Sequence, residues 1–346
     1  MDSGARTQIS AAYAPQSAPL VSIIVLNYNG AASIVQCLES IRTQTYSPIE
    51  TIVVDNCSSD DSMALVEKLF PSFKTIYNSS NLGFAEGNNV GIRRSNGDYV
   101  VLANNDLFLE PDAISNMVRR MSPKVGILGG LVYYYDSPQN VWAYGGYFEP
   151  ITGMHWQGFQ GSPHDTKLPT RSTVDYVPGA LFMIRSSVLR RIGLLDSHYF
   201  LYGDDIDLAC KVKRIGYTVE VSSSIVSYHK VSQSIRAVDK VHELRGFYLM
   251  NKHQFYLCFV QLPLSFAITS TISQLAFSFA EIFIFKRKRS YFAVRVRALV
   301  DTLRNPKSII TKRAELRAIG KLSLRPNLIQ LLKIARSRST SRTYYW

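Results

Sequence analysis

The chain has 346 residues, 46% of them hydrophobic and 19% charged, which is the composition of a folded globular protein with ample length for a buried core. Its net charge of +13 is unevenly placed: residues 286–346 hold 17 Lys/Arg against Asp301 and Glu315, a surplus of +15 that leaves −2 for the first 285 residues. A near-neutral body with a basic tail argues against a nucleic-acid groove in the main domain and for an attached surface-binding segment.

Residues 1–19 are small, polar and rich in Pro, Ala and Ser. With no basic stretch ahead of an apolar run they read as a disordered leader, not a secretory signal. Cys37, Cys57, Cys210 and Cys258 form no C-x-x-C pair and no disulfide framework, which suits a reducing cytosol.

Val21–Leu26 is a continuous apolar run, as expected of a strand buried on both faces. Helical spacing follows at Ile34, Leu38 and Ile41, then a strand over Ile49–Val54. A helix through Met63, Val66 and Phe70 stops before Pro71, and a third strand lies near Phe73–Tyr77. A helix over Ala85–Arg94 leads to a fourth strand at Tyr99–Ala103. This β-α-β-α alternation predicts an α/β fold with a doubly wound, mostly parallel sheet, whose ligands bind outside the carboxyl ends of the strands.

Beyond Pro111 the spacing predicts a helix (Ile114, Met117, Val118) and a strand over Val125–Val132. Tyr133–Thr173 has little periodicity and is expected to be a long functional loop region. Strands are expected at Val174–Val177 and Leu181–Ile184, a helix from Asp205 to Arg214, and strands at Tyr217–Val221 and Ile225–Tyr228. Residues 20–235 read as the catalytic domain and 236–346 as a helical, basic, membrane-associating extension.

Polar clusters sit at the expected strand ends. The first joins Asn27-Tyr28-Asn29-Gly30 to Asp55-Asn56-Cys57-Ser58-Ser59-Asp60. Asp55 can accept hydrogen bonds from a nucleotide, while Ser58 or Asp60 caps the following helix. Asn27-Tyr28-Asn29-Gly30 lacks the G-x-G-x-x-G of a dinucleotide site. The second, Asn81-Leu82-Gly83-Phe84-Ala85-Glu86-Gly87-Asn88-Asn89-Val90-Gly91, sets glycines in a helix, where each costs about 1 kcal/mol relative to Ala. Close approach of a ligand and tight helix–sheet packing explain them equally well.

The third cluster, Asn104-Asn105-Asp106, is a common turn sequence, but a carboxylate at a strand end can also hold Mg²⁺ or Mn²⁺ against a diphosphate. The fourth, Gly203-Asp204-Asp205-Ile206-Asp207, has more carboxylates than a helix N-terminus needs, and the surplus suggests a positioned base. His229 ends the last expected strand, where a lone histidine is more often a structural hydrogen-bonder than a ligand.

In order, Asn27-Tyr28-Asn29, Val54-Asp55-Asn56, Asn81-x-Gly83-Phe84-Ala85-x-Gly87-Asn88-Asn89-x-Gly91, Gly97-Asp98, Asn104-Asn105-Asp106, Gly179-Ala180 and Asp204-Asp205-x-Asp207-Leu208 resemble glycosyltransferase family 2, and within it the rhamnosyltransferase-like branch. The resemblance covers about Val21 to Ser234 and implies a GT-A fold, an inverting mechanism and Mg²⁺ or Mn²⁺ as cofactor. It implies that Asp205, with Asp204, is catalytic and that Asp106 and His229 meet the metal. It also implies that Asn27, Tyr28, Asn29, Asp55, Asn56, Asn81, Gly83, Gly87, Asn88, Asn89, Asn104 and Asn105 line the nucleotide-sugar. The chain departs from the family at Asp204, often Glu, and at Asn104, often Asp.

The expected reaction moves a sugar, rhamnose from dTDP-rhamnose as the best guess, to a hydroxyl of a lipid-linked or cell-surface glycan, and Trp142 and Trp156 within Tyr133–Thr173 are expected to offer aromatic faces to that acceptor. A sugar-phosphate nucleotidyltransferase is the alternative from another class, but Tyr28-Asn29-Gly30-Ala31-Ala32 lacks the basic residue its loop needs. A non-catalytic nucleotide-sugar binding protein is the third. No Lys, Arg, Asp or Glu occurs from His253 to Ala280, and Ile272, Leu275, Ala276, Phe279, Ile282 and Phe283 share a helical face. One crossing cannot keep both the body and the +15 tail in the cytosol, so an interfacial attachment to anionic lipid on the cytoplasmic face ranks ahead of a single span and of a homodimer helix.

Overall fold

A computed structural model of the chain describes residues 18–231, 240–284 and 289–322. The expected leader therefore falls almost wholly outside the described residues, as does the expected boundary at 235.

The alternation read from the sequence is present. β1 (Val21–Asn27), β2 (Ile49–Asp55), β3 (Lys74–Tyr77) and β4 (Tyr99–Asn104) are parallel, in the spatial order β3-β2-β1-β4. They are linked by α1 (Ile34–Arg42), α2 (Ser62–Leu69) and α3 (Gly83–Ile92). The sheet continues through β11 (Leu181–Arg185), which is antiparallel to β4 and to β6 (Val125–Tyr134). β12 (Thr218–His229) then runs parallel to β6, and β10 (Arg171–Thr173) closes the edge.

Each central strand is buried on both faces, so its residues divide between two cores. Val21, Ile23 and Val25 pack with Ile34 and Leu38 of α1, Val66 of α2, and Ile114 of α4 (Ala113–Arg120). Ile24, Ile52 and Leu102 pack with Ala85 of α3, Leu189 of α5 (Ser186–Ile192), and Leu208 and Val212 of α6 (Asp204–Arg214). Helices on both faces of a mostly parallel sheet give a three-layer, doubly wound α/β domain of the GT-A type.

Three expectations are corrected. Tyr133–Thr173 is not an irregular loop: β6 turns through Tyr135-Asp136 into β7 (Ser137–Tyr144), and β8 (Gly146–Phe148) pairs with β9 (His155–Gln157). Aromatic residues favour strands, but register shifts at Val132/Tyr133 and Tyr133/Tyr134 break the alternation that would have announced them. Val174–Val177 forms only an isolated bridge, Tyr176 to Gly146. The two strands expected between Tyr217 and Tyr228 are one, β12, interrupted by an irregularity between Ser222 and Val226.

The C-terminal part comprises α7 (Lys240–Gln261), α8 (Leu264–Ile284), α9 (Arg289–Leu303) and α10 (Pro306–Ile319). Pro263 separates α7 from α8. Tyr256, Leu257, Cys258 and Val260 of α7, with Ile309 and Leu316 of α10, join the core that holds α6. These helices are thus packed onto the catalytic body rather than trailing from it.

Candidate active site

The three strands that carry the first and third clusters end level with one another. Asn27 lies opposite Asp55, and Leu26 opposite both Val54 and Asn104. The polar residues that follow each strand therefore share one edge of the sheet, where the strand order reverses around β1.

Asn27 organises that edge. Its buried amide donates to Asp55 Oδ1 at 3.4 Å and Ser62 Oγ at 2.8 Å, and its oxygen accepts from Asn105 Nδ2 at 2.8 Å. Gly30 sits where a Cβ would collide with the Asn105 and Asn27 side chains, so this polar knot requires glycine there. Asp55, also buried, accepts the Ser58 N–H through Oδ2 at 3.1 Å, leaving Oδ1 with the long Asn27 bond. Tyr28, next in sequence to Asn27, is 43% exposed. Asn29 adopts φ of 51° and accepts from Ser59 N at 2.8 Å, which fixes the turn.

The second cluster divides by role. Asn56 is engaged at both amide atoms: Nδ2 donates to Asn81 Oδ1 (2.9 Å) and the Gly83 carbonyl (3.0 Å), while Oδ1 accepts from Asn78 Nδ2 and Leu82 N–H. Asn81 also accepts from Gly83 N–H at 2.9 Å. Asn89 clasps Leu195 by its N–H and carbonyl at 3.1 and 2.9 Å, and Asn88 donates to Phe84 O at 2.9 Å. A Cβ on Gly87 would fall 2.6 Å from Leu26 Cδ1, and one on Gly91 2.5 Å from Ile24 Cγ2. Gly87, expected at the nucleotide, is a packing glycine that seats α3 on β1. Gly83, with φ of +78°, abuts Phe200 of the acidic loop.

Asp106 and His229 meet although 123 residues apart. β5 (Leu107–Leu109), missed in the sequence, pairs antiparallel with the end of β12 and sets Leu107 opposite His229. His229 Nε2 then lies 3.0 Å from Asp106 Oδ1. Trp142 packs its edge against the imidazole, 4.5 Å between centroids, and is itself buried. That corrects its expected place on an acceptor surface: Trp142 orients His229. Among the described residues no group of three or more His, Cys, Asp or Glu forms a cage. Asp106 and His229 thus bring a carboxylate oxygen and an imidazole nitrogen to one point, a pair that would fit a divalent cation only in place of the hydrogen bond between them.

On the other side of the edge, α6 begins at the acidic loop. Gly203 supplies φ of +90° just before it. The three carboxylates are sorted by their surroundings. Asp207 is sealed in the core with Lys211 at 2.9 Å and Gln261 Nε2 at 2.7 Å, so its function is structural. Asp204 is buried, and desolvation together with the charge of Asp205 holds its carboxyl well above the usual range. Asp205 remains partly exposed; burial pushes its carboxyl up to about 6, opposed by the Ile206 and Gly179 N–H groups.

Gly179-Ala180 joins the two sides. Ala180 accepts from Asn104 N–H at 2.9 Å, and Gly179 N–H donates to Asp205 Oδ2 at 3.2 Å. Sequence reasoning missed the support from α7: His253 Nδ1 donates to the Leu201 carbonyl at 2.7 Å, and Gln261 reaches Asp207. The polar residues within the otherwise apolar 253–262 stretch were the available signal.

Residues 22–193 match the family described as glycosyl transferase family 2. The chain belongs to this family. It is 23% identical over 240 residues to the N-acetylglucosaminyl-diphospho-decaprenol L-rhamnosyltransferase of Mycobacterium tuberculosis, covering 63% of this chain and 78% of that one. In structure it is similar to the mannosyltransferase PcManGT from Pyrobaculum calidifontis in complex with GDP-Man and Mn²⁺, at a TM-score of 0.52 and 19% identity, over 88% of this chain and 87% of that one. It is also similar to GalNAc-T7 with UDP, GalNAc and Mn²⁺, at a TM-score of 0.56 and 13% identity, over 71% of this chain. The chain spans about half the length of GalNAc-T7, 48%. The family-2 glycosyltransferase and its GT-A fold are thus both in view.

Proposed function

We propose that this glycosyltransferase is inverting and assisted by Mg²⁺ or Mn²⁺, and that it carries a sugar from a nucleotide donor to a hydroxyl of a lipid-linked or cell-surface glycan. One observation carries the reading: Asp106–His229 and Asp205 flank the same sheet edge, coupled through Gly179-Ala180. Tyr28 and Asp55 meet the base and ribose. Asn27, Asn29 and Asn105 hold the edge that receives them, and Asn56, Asn81, Asn88 and Asn89 fix the loops behind it. Asp106 and His229 would hold the cation, which when bound neutralises the departing diphosphate. Asp205 takes the proton of the acceptor hydroxyl as that oxygen attacks the anomeric carbon from the face opposite the diphosphate. A carboxyl near 6 is well matched to that task, being ionised at neutral pH yet more basic than an ordinary aspartate. Burial and the neighbouring Asp205 both disfavour the charged form of Asp204, which limits the negative charge beside the base.

The rhamnosyltransferase relative supports rhamnose as the transferred sugar, with dTDP-rhamnose the donor expected from the sequence, and a polyprenyl-diphosphate-linked sugar as acceptor. That acceptor would place the enzyme at the cytoplasmic face of the cell membrane. The test is a thermal-shift panel of dTDP-, UDP- and GDP-sugars with and without Mn²⁺. The donor should stabilise the protein in proportion to the logarithm of its concentration over Kd, and more strongly with the cation than without it. Absence of a shift with every nucleotide-sugar would overturn the proposal.

A further inference from the structure

Helix α8 is turned inside out. Ser270, Gln274, Ser278 and Glu281 lie along its buried side. Leu264, Ile272 and Phe283 on the opposite side are 60%, 61% and 69% exposed, with Ile268 and Phe279 in the same row. A helix on a water-facing surface has the reverse arrangement. On that side Arg295 of α9 donates to the Gln274 backbone carbonyl at 3.1 Å and the turn of hairpin β8–β9 rests on Ser270 and Gln274 at Gly153, while Gln274 Nε2 and Ser278 Oγ have no hydrogen-bond partner among the described residues. Apart from Phe279, whose ring meets Phe292 of α9 at 5.9 Å between centroids, the apolar row faces outward, and an exposed apolar patch of this kind marks an interaction surface.

We propose that the outward face of α8 lies in the plane of an anionic lipid bilayer, its apolar row sunk among the headgroups. Charge complementarity selects this occupant. Arg289, Arg297 and Arg304 are exposed on α9 and just beyond it, the last two sharing Asp301. The sequence adds Lys286-Arg287-Lys288 directly after α8 and the rest of the +15 segment. Apolar insertion beside a polybasic segment is the pattern of interfacial helices. A second copy fits less well, because a twofold contact through this face would bring two such segments together.

Crossing the bilayer fits less well still, although Leu264–Phe283 has the length and mean hydropathy of 1.3 for it. One side of α8 is held against the body and α9, where Arg295 bonds the Gln274 carbonyl, so a crossing would carry Arg295 and its α9 neighbours Arg297 and Asp301 towards hydrocarbon. The proposal deepens the function given above, since it states on which side a lipid-borne acceptor arrives. Membrane binding itself requires no turnover, so the two can fail separately.

The experiment is co-sedimentation of the full chain with vesicles of phosphatidylcholine alone and of phosphatidylcholine mixed with phosphatidylglycerol. The full chain should pellet with the anionic vesicles and less so as salt rises. Ile272→Asp combined with Phe279→Asp should lower the partition coefficient more than about tenfold. Ile268→Ser with Ile272→Ser provides a milder pair, and an unchanged thermal midpoint shows that either variant is folded. Four results would overturn the proposal: no pelleting with either vesicle, undiminished pelleting of both variants, retention after an alkaline carbonate wash, or a dimer in sedimentation velocity that the same substitutions dissolve. The third would indicate a span and the fourth a second copy.

Discussion

Gly179 donates its backbone N–H to Asp205 Oδ2 at 3.2 Å, while the next residue, Ala180, accepts from Asn104 at the end of β4. The proposed base is thereby referenced to the strand that leads into Asp106. Asp205→Asn retains the shape but cannot take a proton, and its single oxygen can accept from only one of the Gly179 and Ile206 N–H groups. Transfer should fall on the order of 10²–10⁴-fold while donor affinity by calorimetry stays the same. Near-normal turnover would remove Asp205 from the reaction.

The pH dependence follows from the carboxyl raised to about 6. Asp205 must be ionised to act, so kcat/KM should rise with pH through about 6 and level off above it. The sign for stability is opposite. Folding raises this pKa from 3.8, so the protonated form is favoured in the folded state, and stability is lost as pH rises through the folded value. Asp205→Asn should therefore melt higher than the parent at pH 8 and match it more closely at pH 4, as differential scanning calorimetry would reveal.

Asp106→Ala and His229→Ala should each leave weak nucleotide binding and abolish the increment produced by Mn²⁺. A two-ligand site has no spare ligand to lose. Trp142→Ala should weaken that increment without removing it, since the indole only orients the imidazole. Calorimetric titration with the nucleotide, cation present or absent, separates the three. An unchanged increment in Asp106→Ala would refute the metal assignment.

Gly91→Ala should destabilise the protein by about 1–3 kcal/mol, because its Cβ would meet Ile24 and Val54, branched side chains held in adjacent strands. The gain in helix propensity, about 1 kcal/mol, offsets only part of this. Donor affinity in the folded fraction should be unaltered. A selective loss of nucleotide binding at unchanged stability would restore the ligand-approach explanation of this glycine-rich helix.

Gln261→Ala removes a donor from the buried Asp207 carboxylate and should cost about 1–3 kcal/mol in denaturant unfolding. Because α6 carries both Asp207 and Asp205, kcat should fall more than donor affinity. Equal loss of both would mean that α7 merely stabilises the body.

The parallel half of the sheet was legible because its strands are apolar throughout and its helices keep a 3.6-residue spacing. The second half was obscured by irregular registers in β6 and β12 and by strands of three residues, too short to show a period. In the site, the carboxylates were visible as residue types, but not their division of labour. Asp207 is distinguished from Asp205 by Lys211, one turn along the same helix, and by Gln261, 54 residues away. The glycines of α3 were ambiguous for a related reason: a missing Cβ leaves the same mark in a sequence whether its place is taken by a ligand or by Leu26.

The 123-residue separation of Asp106 and His229 has a consequence for biogenesis. Strands β1 to β4 are joined by neighbouring helices and can form as the chain leaves the ribosome, so the pocket for the base is an early product. The imidazole arrives on β12, the last strand of the sheet to be made. A nascent chain could thus touch a nucleotide long before it could grip a diphosphate, and cation-dependent donor binding would serve as a reporter of completed synthesis.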